Sequence, residues 1–194
     1  MRSTAAKNSF TVFLLNARSL KNKLESLKQN MNELAVDVCL VTETWFKEDQ
    51  SINDLLADFK DGSCYTFLRR DRTVNKKGGG VALCYNHERI QIAKAKIPPS
   101  KHEVFAAIGR RTGQRRKIAF VVIYVPPWYN AQQNRSLYNY VNDVILTLRN
   151  KYENPMVLLG GDLNRRDDAA MTRDFSDIAR IRTGPTRGNA TLDI

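Results

Sequence analysis

The chain has 194 residues, of which 42% are hydrophobic, and its formal net charge is +11. This length suits one domain with a sizeable core, and the composition is that of a folded protein rather than a disordered one. The N-terminus has no signal-peptide pattern and no apolar run is long enough to span a bilayer, so we expect a nuclear or cytoplasmic protein that is not secreted. Three cysteines without a CxxC pair argue against a disulfide framework or a zinc site.

The excess of positive charge indicates a polyanionic partner, nucleic acid first and acidic membrane surfaces second. The basic residues are clustered in two predicted loops, which favours a rim that follows phosphate groups over a merely soluble basic surface. We therefore predict nucleic-acid contacts from Arg69, Arg70, Arg72, Lys76 and Lys77 in the first loop, and from Arg110, Arg111, Arg115 and Arg116 in the second.

The first third of the chain predicts a strand–helix–strand unit. Its elements are a short apolar strand over residues 10–16, a helix over 20–34 with Ser19 as its N-cap, and a buried strand over 37–43. The polar stretch 46–62 that follows is predicted to be loop with a turn of helix.

The middle of the chain predicts strands joined by the two basic loops. Strands over 64–68 and 80–85 flank the first loop. Strands over 104–109 and 118–125 flank the second, and the pair Thr112-Gly113 in that loop predicts a hairpin turn.

Beyond the hairpin, an amphipathic helix over 133–150 leads to a strand over 156–160. The total is roughly seven strands and two helices. Hairpins beside strand–helix units predict an α/β fold of two mixed sheets packed face to face with helices outside.

Two apolar strands end in polar residues that suit metal or water chemistry. One leads to Glu43, and the other leads through a glycine pair to Asp162 and Asn164. Ligands of open α/β sheets bind at the carboxyl ends of the strands. Oxygen ligands without a matching set of His or Cys favour Mg²⁺ or Mn²⁺ over zinc. Glycines allow substrate and backbone to approach closely, and phosphate-ester chemistry suits such a site.

Each candidate residue also has a structural interpretation. Asn16 after the first strand can orient a metal ligand or simply close a turn, and Glu43 can be a solvated acid. Tyr124 can donate to a phosphate oxygen or occupy a half-buried strand position. Asp162 and Asn164 can form an ordinary Asx turn. The two histidines are predicted to lie at the surface or at strand ends, and without a GxSxG or P-loop motif other catalytic schemes are disfavoured.

Six segments, in order along the chain, resemble the endonuclease/exonuclease/phosphatase superfamily. They are LLNARSL, VTETW, RRDR with GGGVALCY, VIYVPPW, GGDLN and PTRGNATLDI. They are most similar to the endonuclease domain of non-LTR retrotransposons, a branch related to exonuclease III and the apurinic/apyrimidinic endonucleases. The resemblance covers residues 10–194, leaving 1–9 as an expected disordered tail, and implies a four-layered α/β sandwich with the site at one end of the two sheets.

The resemblance implies a role for each of six residues. It makes Asn16 and Glu43 metal-site residues, Tyr124 a contact to the scissile phosphate, Asp162 and Asn164 the pair that aligns the attacking water, and Asp193 the acid that orients a catalytic histidine. It thereby implies hydrolysis of DNA phosphodiester bonds by in-line attack with Mg²⁺ or Mn²⁺ as cofactor.

The sequence departs from this family pattern at its C-terminus. The family ends with a further strand and a Ser-Asp-His motif, whereas this chain stops at Ile194. We therefore expect a C-terminally truncated, monomeric domain with weak or no catalysis, without the reverse transcriptase domain of a full-length element. Two alternatives stay open: a catalytically dead module that binds DNA through its basic loops, and a phosphatase of the same superfamily that acts on inositol phosphates or lipids.

Overall fold

The computed structural model describes residues 10–73 and 77–164. The strands in chain order are β1 (Val12–Asn16), β2 (Val38–Thr42), β3 (Tyr65–Arg70), β4 (Val81–Asn86), β5 (Ile90–Lys94), β6 (Glu103–Arg111), β7 (Lys117–Tyr124) and β8 (Met156–Asp162). The helices are α1 (Leu24–Glu33), α2 (Gln50–Lys60) and α3 (Ala131–Lys151). The predicted tail 1–9, Lys76 and Asp193 lie outside the described residues.

The eight strands form two four-stranded sheets, with the orders β1-β2-β4-β3 and β5-β6-β7-β8. Each sheet contains one parallel pair, β1 with β2 and β7 with β8. A helix joins the members of each parallel pair, α1 in the first sheet and α3 in the second, as a parallel crossover requires. The prediction of two mixed sheets is confirmed.

Three hydrophobic clusters separate four layers. Residues of α1 and α2, such as Leu27 and Phe59, pack on the outer face of the first sheet. Leu40 and Phe120 lie in the cluster between the two sheets, and Leu137 of α3 packs on the outer face of the second. Burying one such side chain contributes about 1.5–3 kcal/mol. The structure is therefore an α/β sandwich with outer helices, and no helix in its described part is long and apolar enough to cross a membrane.

The structure corrects three local predictions. Residues 50–60, predicted as mostly loop, form helix α2, because Asp49 caps it by accepting the Ile52 N–H at 3.0 Å and because Ile52 and Phe59 are buried on one face. Ser19 is not a helix cap: its φ is +79° and a 3-10 turn over Lys21–Lys23 precedes α1. The strand β5 was missed because Ile90 is its one buried residue.

The glycine pair at the end of β8 permits a close approach of β8 to its neighbours. A Cβ added at Gly161 would lie 1.8 Å from the carbonyl oxygen of Ile123 in β7. A Cβ at Gly160 would lie 2.7 Å from Leu40 Cδ1 in the first sheet. These contacts bring the carboxyl end of β8 against both sheets, as the sequence interpretation of the glycines requires.

Candidate active site

Four of the predicted site residues lie at the carboxyl ends of parallel strands. Asn16 ends β1, Glu43 follows β2, Tyr124 ends β7 and Asp162 ends β8. The register pairs Asn16 with Thr42 and Tyr124 with Asp162, so each pair lies at the same level of its sheet. We call this the site end of the sandwich.

A single amide joins the carboxylates of the two sheets. The Nδ2 of Asn16 donates to Glu43 Oε1 at 3.0 Å and also to Asp162 Oδ2. The Oδ1 of Asn16 accepts the Arg18 N–H at 3.2 Å. Asn16 therefore presents N–H groups, not its oxygen, to the acids. In this orientation it positions the two carboxylates, and its metal-site role stays what the resemblance implies.

Asp162 is both a turn residue and a buried acid. Its side chain is 8% exposed, and its Oδ1 accepts the Asn164 N–H at 2.9 Å, which is the Asx-turn contact. Burial is the main cause that raises its pKa, and the charge of Glu43 adds to it, while the donors from Asn164 and Asn16 act in the opposite direction. The structural and functional interpretations of Asp162 are therefore compatible.

Asn164 lies beside Asp162 but is held by its own contacts. Its φ is +47°, so the chain turns here after the end of β8, in agreement with the Asx-turn interpretation. Its Nδ2 donates to the Val125 carbonyl at 2.6 Å, which ties the side chain to the end of β7.

Tyr124 is buried at 4% exposure with its ring beside the acids. Its pKa is raised to about 12, first by burial and then by the charge of Glu43, while Arg72 acts in the opposite direction. The guanidinium carbon of Arg72 lies 5.5 Å from the Tyr124 ring centroid. The phenol is therefore protonated at neutral pH and is available as a hydrogen-bond donor.

Two residues that sequence reasoning missed complete the site end. Trp45 Nε1 donates to Glu43 Oε2 at 3.2 Å, and the Trp45 backbone N–H donates to the Gly79 carbonyl at 2.9 Å. Both Glu43 and Trp45 have positive φ, +53° and +58°, an unusual backbone conformation that clusters at functional sites. Glu103 at the start of β6 accepts the Gly80 N–H at 2.6 Å. A tryptophan two residues after the predicted acid was the available sequence signal for Trp45.

The first basic cluster is not the free rim predicted from the sequence. Arg69 pairs with Asp71 at 3.3 Å, and Arg70 donates to the Val104 carbonyl at 2.8 Å. Arg72 pairs with Glu103 at 2.6 Å, with its side chain 4% exposed. Arg70 and Arg72 therefore hold β3 and the following loop against the second sheet, whereas the ion pair of Arg69 is local. Lys77 is exposed, with its Nζ 5.5 Å from the Trp45 ring centroid.

The second basic cluster lies at the opposite end of the sandwich. Arg110 and Arg111 end β6, and Arg115 and Arg116 precede β7, whose other end is Tyr124. The eight residues of β7 put about 23 Å between the two ends at roughly 3.3 Å per residue. The two basic loops therefore lie at opposite ends of the sandwich, and the DNA contacts predicted for the second loop stay a prediction. We call residues 110–117 the hairpin end.

His102 directly precedes β6, as one of the two alternatives predicted, but it is buried at 3% exposure and does not lie at the surface. Its Nδ1 lies 3.2 Å from the Tyr129 hydroxyl and its Nε2 lies 3.1 Å from Ser136 Oγ. Burial is the main cause that lowers its pKa, followed by the charges of Lys101 and Arg70. A neutral imidazole with both ring nitrogens in hydrogen bonds fits a structural role near the N-terminus of α3.

The donor set at the site end fits a hard divalent cation. Glu43 and Asp162 offer carboxylate oxygens on either side of Asn16, and Mg²⁺ needs only one or two protein carboxylates because it keeps several waters. Across the described residues, no group of three or more His, Cys, Asp or Glu side chains gathers into a cluster that could hold a metal ion. The site therefore suits a partly hydrated cation and not an all-protein zinc cage.

A two-sheet α/β sandwich with an acid–amide site at the strand ends defines a class of phosphate-ester hydrolases. Residues 12–192 match the Endonuclease/Exonuclease/phosphatase family, and the chain belongs to that family. Members of this family hydrolyse phosphodiester or phosphate bonds and generally use divalent metals. No curated protein sequence matches the chain.

Solved structures share the fold at low sequence identity. A mannosyl-6-phosphatase from Bacteroides thetaiotaomicron is 15% identical with a TM-score of 0.68, over 90% of this chain and 73% of that chain. An AP endonuclease from Archaeoglobus fulgidus is 15% identical with a TM-score of 0.54, over 79% and 57%. The D. rerio TDP2 complexed with single-strand DNA product is 16% identical with a TM-score of 0.56, over 85% and 64%. At these identities the likeness shows the fold alone.

Proposed function

We propose that this chain hydrolyses phosphodiester bonds of DNA with Mg²⁺ or Mn²⁺, as the nicking endonuclease of a non-LTR retrotransposon. The main support for hydrolysis is that the carboxylates of Glu43 and Asp162 both accept hydrogen bonds from the side-chain amide of Asn16. The six sequence segments that resemble retrotransposon endonucleases support DNA as the substrate. The net charge of +11 favours a polyanion. A reverse transcriptase domain that extends the nicked strand is the partner that this role requires.

Asp162 is the residue that we assign to the attacking water. Because burial raises its pKa, its carboxylate is a better proton acceptor than an exposed aspartate. The Asn164 N–H and the Asn16 amide hold its two oxygens. The Asp162 carboxylate is therefore held in one orientation before a water binds, so it does not have to reorient during the reaction.

Tyr124 and Glu43 serve the phosphate side of the reaction. The protonated hydroxyl of Tyr124, whose pKa is raised to about 12, donates to a phosphate oxygen. Glu43 is the proposed principal metal ligand, since its carboxylate is oriented by Asn16 and Trp45. The bound cation supplies Lewis-acid polarisation of the phosphate. The role that the resemblance implies for Asp193, which lies outside the described residues, stays a prediction.

The test is a plasmid-nicking assay with a panel of phosphate esters. We expect supercoiled plasmid to be converted slowly to nicked circles in MgCl₂ or MnCl₂, in keeping with the weak catalysis expected above, and to stay supercoiled in excess EDTA. Inositol phosphates and a hexose 6-phosphate, assayed for released phosphate in the same buffer, are expected to remain intact.

Two outcomes contradict the proposal in different ways. Salt-sensitive plasmid binding without nicking in any divalent metal assigns the chain to the catalytically dead DNA-binding alternative. Release of phosphate from the small esters, with the plasmid left supercoiled, assigns it to the phosphatase alternative.

A further inference from the structure

Both tryptophans of the chain lie at the site end and are exposed. The sequence contains two tryptophans, and Trp45 is 36% exposed while Trp128 is 45% exposed. Exposing an indole forgoes the free energy that its burial contributes, and large exposed aromatics are enriched where a partner covers them. The proposed chemistry uses only the indole N–H of Trp45, which donates to Glu43, and gives no role to the flat faces of either ring.

The two indoles flank one short stretch of backbone and one guanidinium. A Cβ added at Gly78 would lie 3.4 Å from Trp45 Nε1 and 3.8 Å from a terminal nitrogen of Arg72. The guanidinium carbon of Arg72 lies 5.1 Å from the Trp128 ring centroid. Gly78 and Arg72 therefore lie between Trp45 and Trp128 at the site end, with Tyr124 next to Arg72.

Each indole is held in place by contacts to the site itself. Trp45 Nε1 donates to Glu43 Oε2 at 3.2 Å, so the ring orientation is coupled to the proposed metal ligand. The ring of Trp128 lies over Arg72, which Glu103 anchors. A cation also lies near the ring of Trp45, because Lys77 Nζ is 5.5 Å from its centroid. The rings thus present oriented apolar surface, and Lys77 supplies exposed positive charge beside Trp45, while Arg72 is paired with Glu103 and holds Trp128 in place.

We propose that Trp45 and Trp128 are stacking platforms for the two unstacked nucleobases that flank the phosphodiester bond at the site. This inference rests on the proposed function, because it takes the ligand to be a nucleic acid strand. Positive charge interleaved with aromatic rings is the arrangement by which proteins bind single strands, with phosphates on the cations and bases on the rings. Stacking on indoles selects strands or junctions whose bases are already unpaired over intact duplex.

The composition of the chain makes this proposal directly measurable. Because these are the two tryptophans of the sequence, intrinsic tryptophan fluorescence reports on the site end alone. Trp45→Phe leaves Trp128 as the sole indole reporter, and Trp128→Phe leaves Trp45. A base that stacks on the remaining indole quenches its emission, whereas a phosphate bound nearby without stacking does not bring a π-face to it.

The experiment titrates the full chain, in EDTA to prevent hydrolysis, with three probes. They are a single-stranded DNA oligonucleotide, an abasic oligonucleotide of equal length and charge, and a hexose 6-phosphate. We expect the normal strand to quench both single-tryptophan variants and to bind at least about tenfold more tightly than the abasic strand. Binding is expected to weaken about tenfold in Trp45→Leu and in Trp128→Leu, and to be largely retained in the Phe variants. Leu146→Ala, which removes an exposed apolar side chain on α3, is the matched control and is expected to bind normally.

The overturning results are distinct. Equal binding and equal quenching by the normal and abasic strands excludes base stacking, and so does unchanged affinity in both Leu variants. If the hexose 6-phosphate quenches the emission at a lower concentration than the strand does, the two indoles bind a sugar rather than nucleobases. A circular dichroism melt of each variant separates these results from misfolding, and the Phe variants keep the test valid if a Leu variant unfolds. Metal-dependent nicking is measured separately, so its failure removes the proposed function without deciding the stacking question.

Discussion

The two ends of the sandwich hold their polar side chains in opposite ways. At the site end, acids, amides and guanidinium groups are joined to one another: Asn16 links Glu43 to Asp162, and Arg72 is paired with Glu103. At the hairpin end, Arg115 and Arg116 are exposed.

The difference shows that clustering of charge in the sequence does not identify a binding rim. Arg72 near the site braces the loop that carries Gly78 to Gly80, while the exposed Arg115 and Arg116 lie about 23 Å away by the length of β7. A side chain whose charge is already paired contributes rigidity to a site, whereas an exposed one contributes long-range attraction. The predictions below compare matched changes at the two ends.

The largest effect is expected from the carboxylates. Glu43→Gln and Asp162→Asn are each expected to lower the rate of plasmid nicking by at least about a hundredfold, because one removes charge from the proposed metal site and the other removes the proton acceptor. Glu153→Gln is the matched control, since Glu153 is an exposed carboxylate paired with Lys117 at the hairpin end. Equal losses in all three variants would contradict the assignment of the site.

The next effect concerns two glycines, one at each end. Gly161→Ala is expected to lower the free energy of unfolding by about 3 kcal/mol, because its Cβ would lie 1.8 Å from the Ile123 carbonyl oxygen. Gly113→Ala is expected to cost about 1 kcal/mol, because Gly113 has φ +79° but open space around it. Urea unfolding measures both, and a reversed order would rule out the close approach of β8 to β7.

Two arginines allow the same comparison for charge. Arg72→Ala is expected to lower the free energy of unfolding by about 2 kcal/mol, because it leaves Glu103 without its partner. Arg116→Ala, at the exposed hairpin end, is expected to leave stability unchanged. If the urea midpoints of the two variants coincide, Arg72 does not brace the site.

A smaller effect is expected for DNA binding at the hairpin end. The double variant Arg115→Glu/Arg116→Glu is expected to weaken binding of a long duplex a few-fold and to reduce its salt dependence. Binding of an oligonucleotide shorter than about seven base pairs is expected to be unchanged, because about 23 Å of β7 corresponds to that length of duplex. Fluorescence anisotropy at several salt concentrations measures the binding of both duplexes. Weaker binding of the short duplex by the double variant would place these arginines at the site.

The smallest effect is a pH dependence of stability from the buried histidine. Burial lowers the pKa of His102 from its usual 6.5, so the unfolded chain takes up the proton first. His102 therefore contributes no pH dependence above about 6.5, and stability is lost as pH falls from 6.5 through the lowered value. We expect the melting temperature of His102→Gln to fall less steeply than that of the wild type between pH 7 and pH 5. Parallel slopes would show that His102 is not held neutral.

Local patterns predicted the elements whose apolar residues are regularly spaced. The hairpin around Thr112-Gly113 and helix α3 follow the predicted pattern, with helix bounds extended by one or two residues. Helix α2 was missed because its apolar residues are few and its cap is an aspartate inside a polar stretch. The candidate site was predicted at Glu43, Tyr124 and Asp162 because each ends an apolar strand. Glu103 could not be found in this way, because it starts a strand and acquires its place only through its contact with Arg72.

By itself the sequence determined which strands are buried, which residues terminate them and that oxygen ligands prevail, since these depend on residue type and spacing along the chain. Only the tertiary structure decided that Asn16 bridges two acids from different sheets. It also decided that Arg69, Arg70 and Arg72 are bound by contacts within the protein, and that the second arginine cluster lies at the hairpin end. The physical reason is that strand order and direction determine which charged residues meet. They also determine at which end of a sheet a loop lies. The spacing of apolar residues, every two in a strand or every 3.6 in a helix, predicts which face of the element is buried, but not which other element packs against that face.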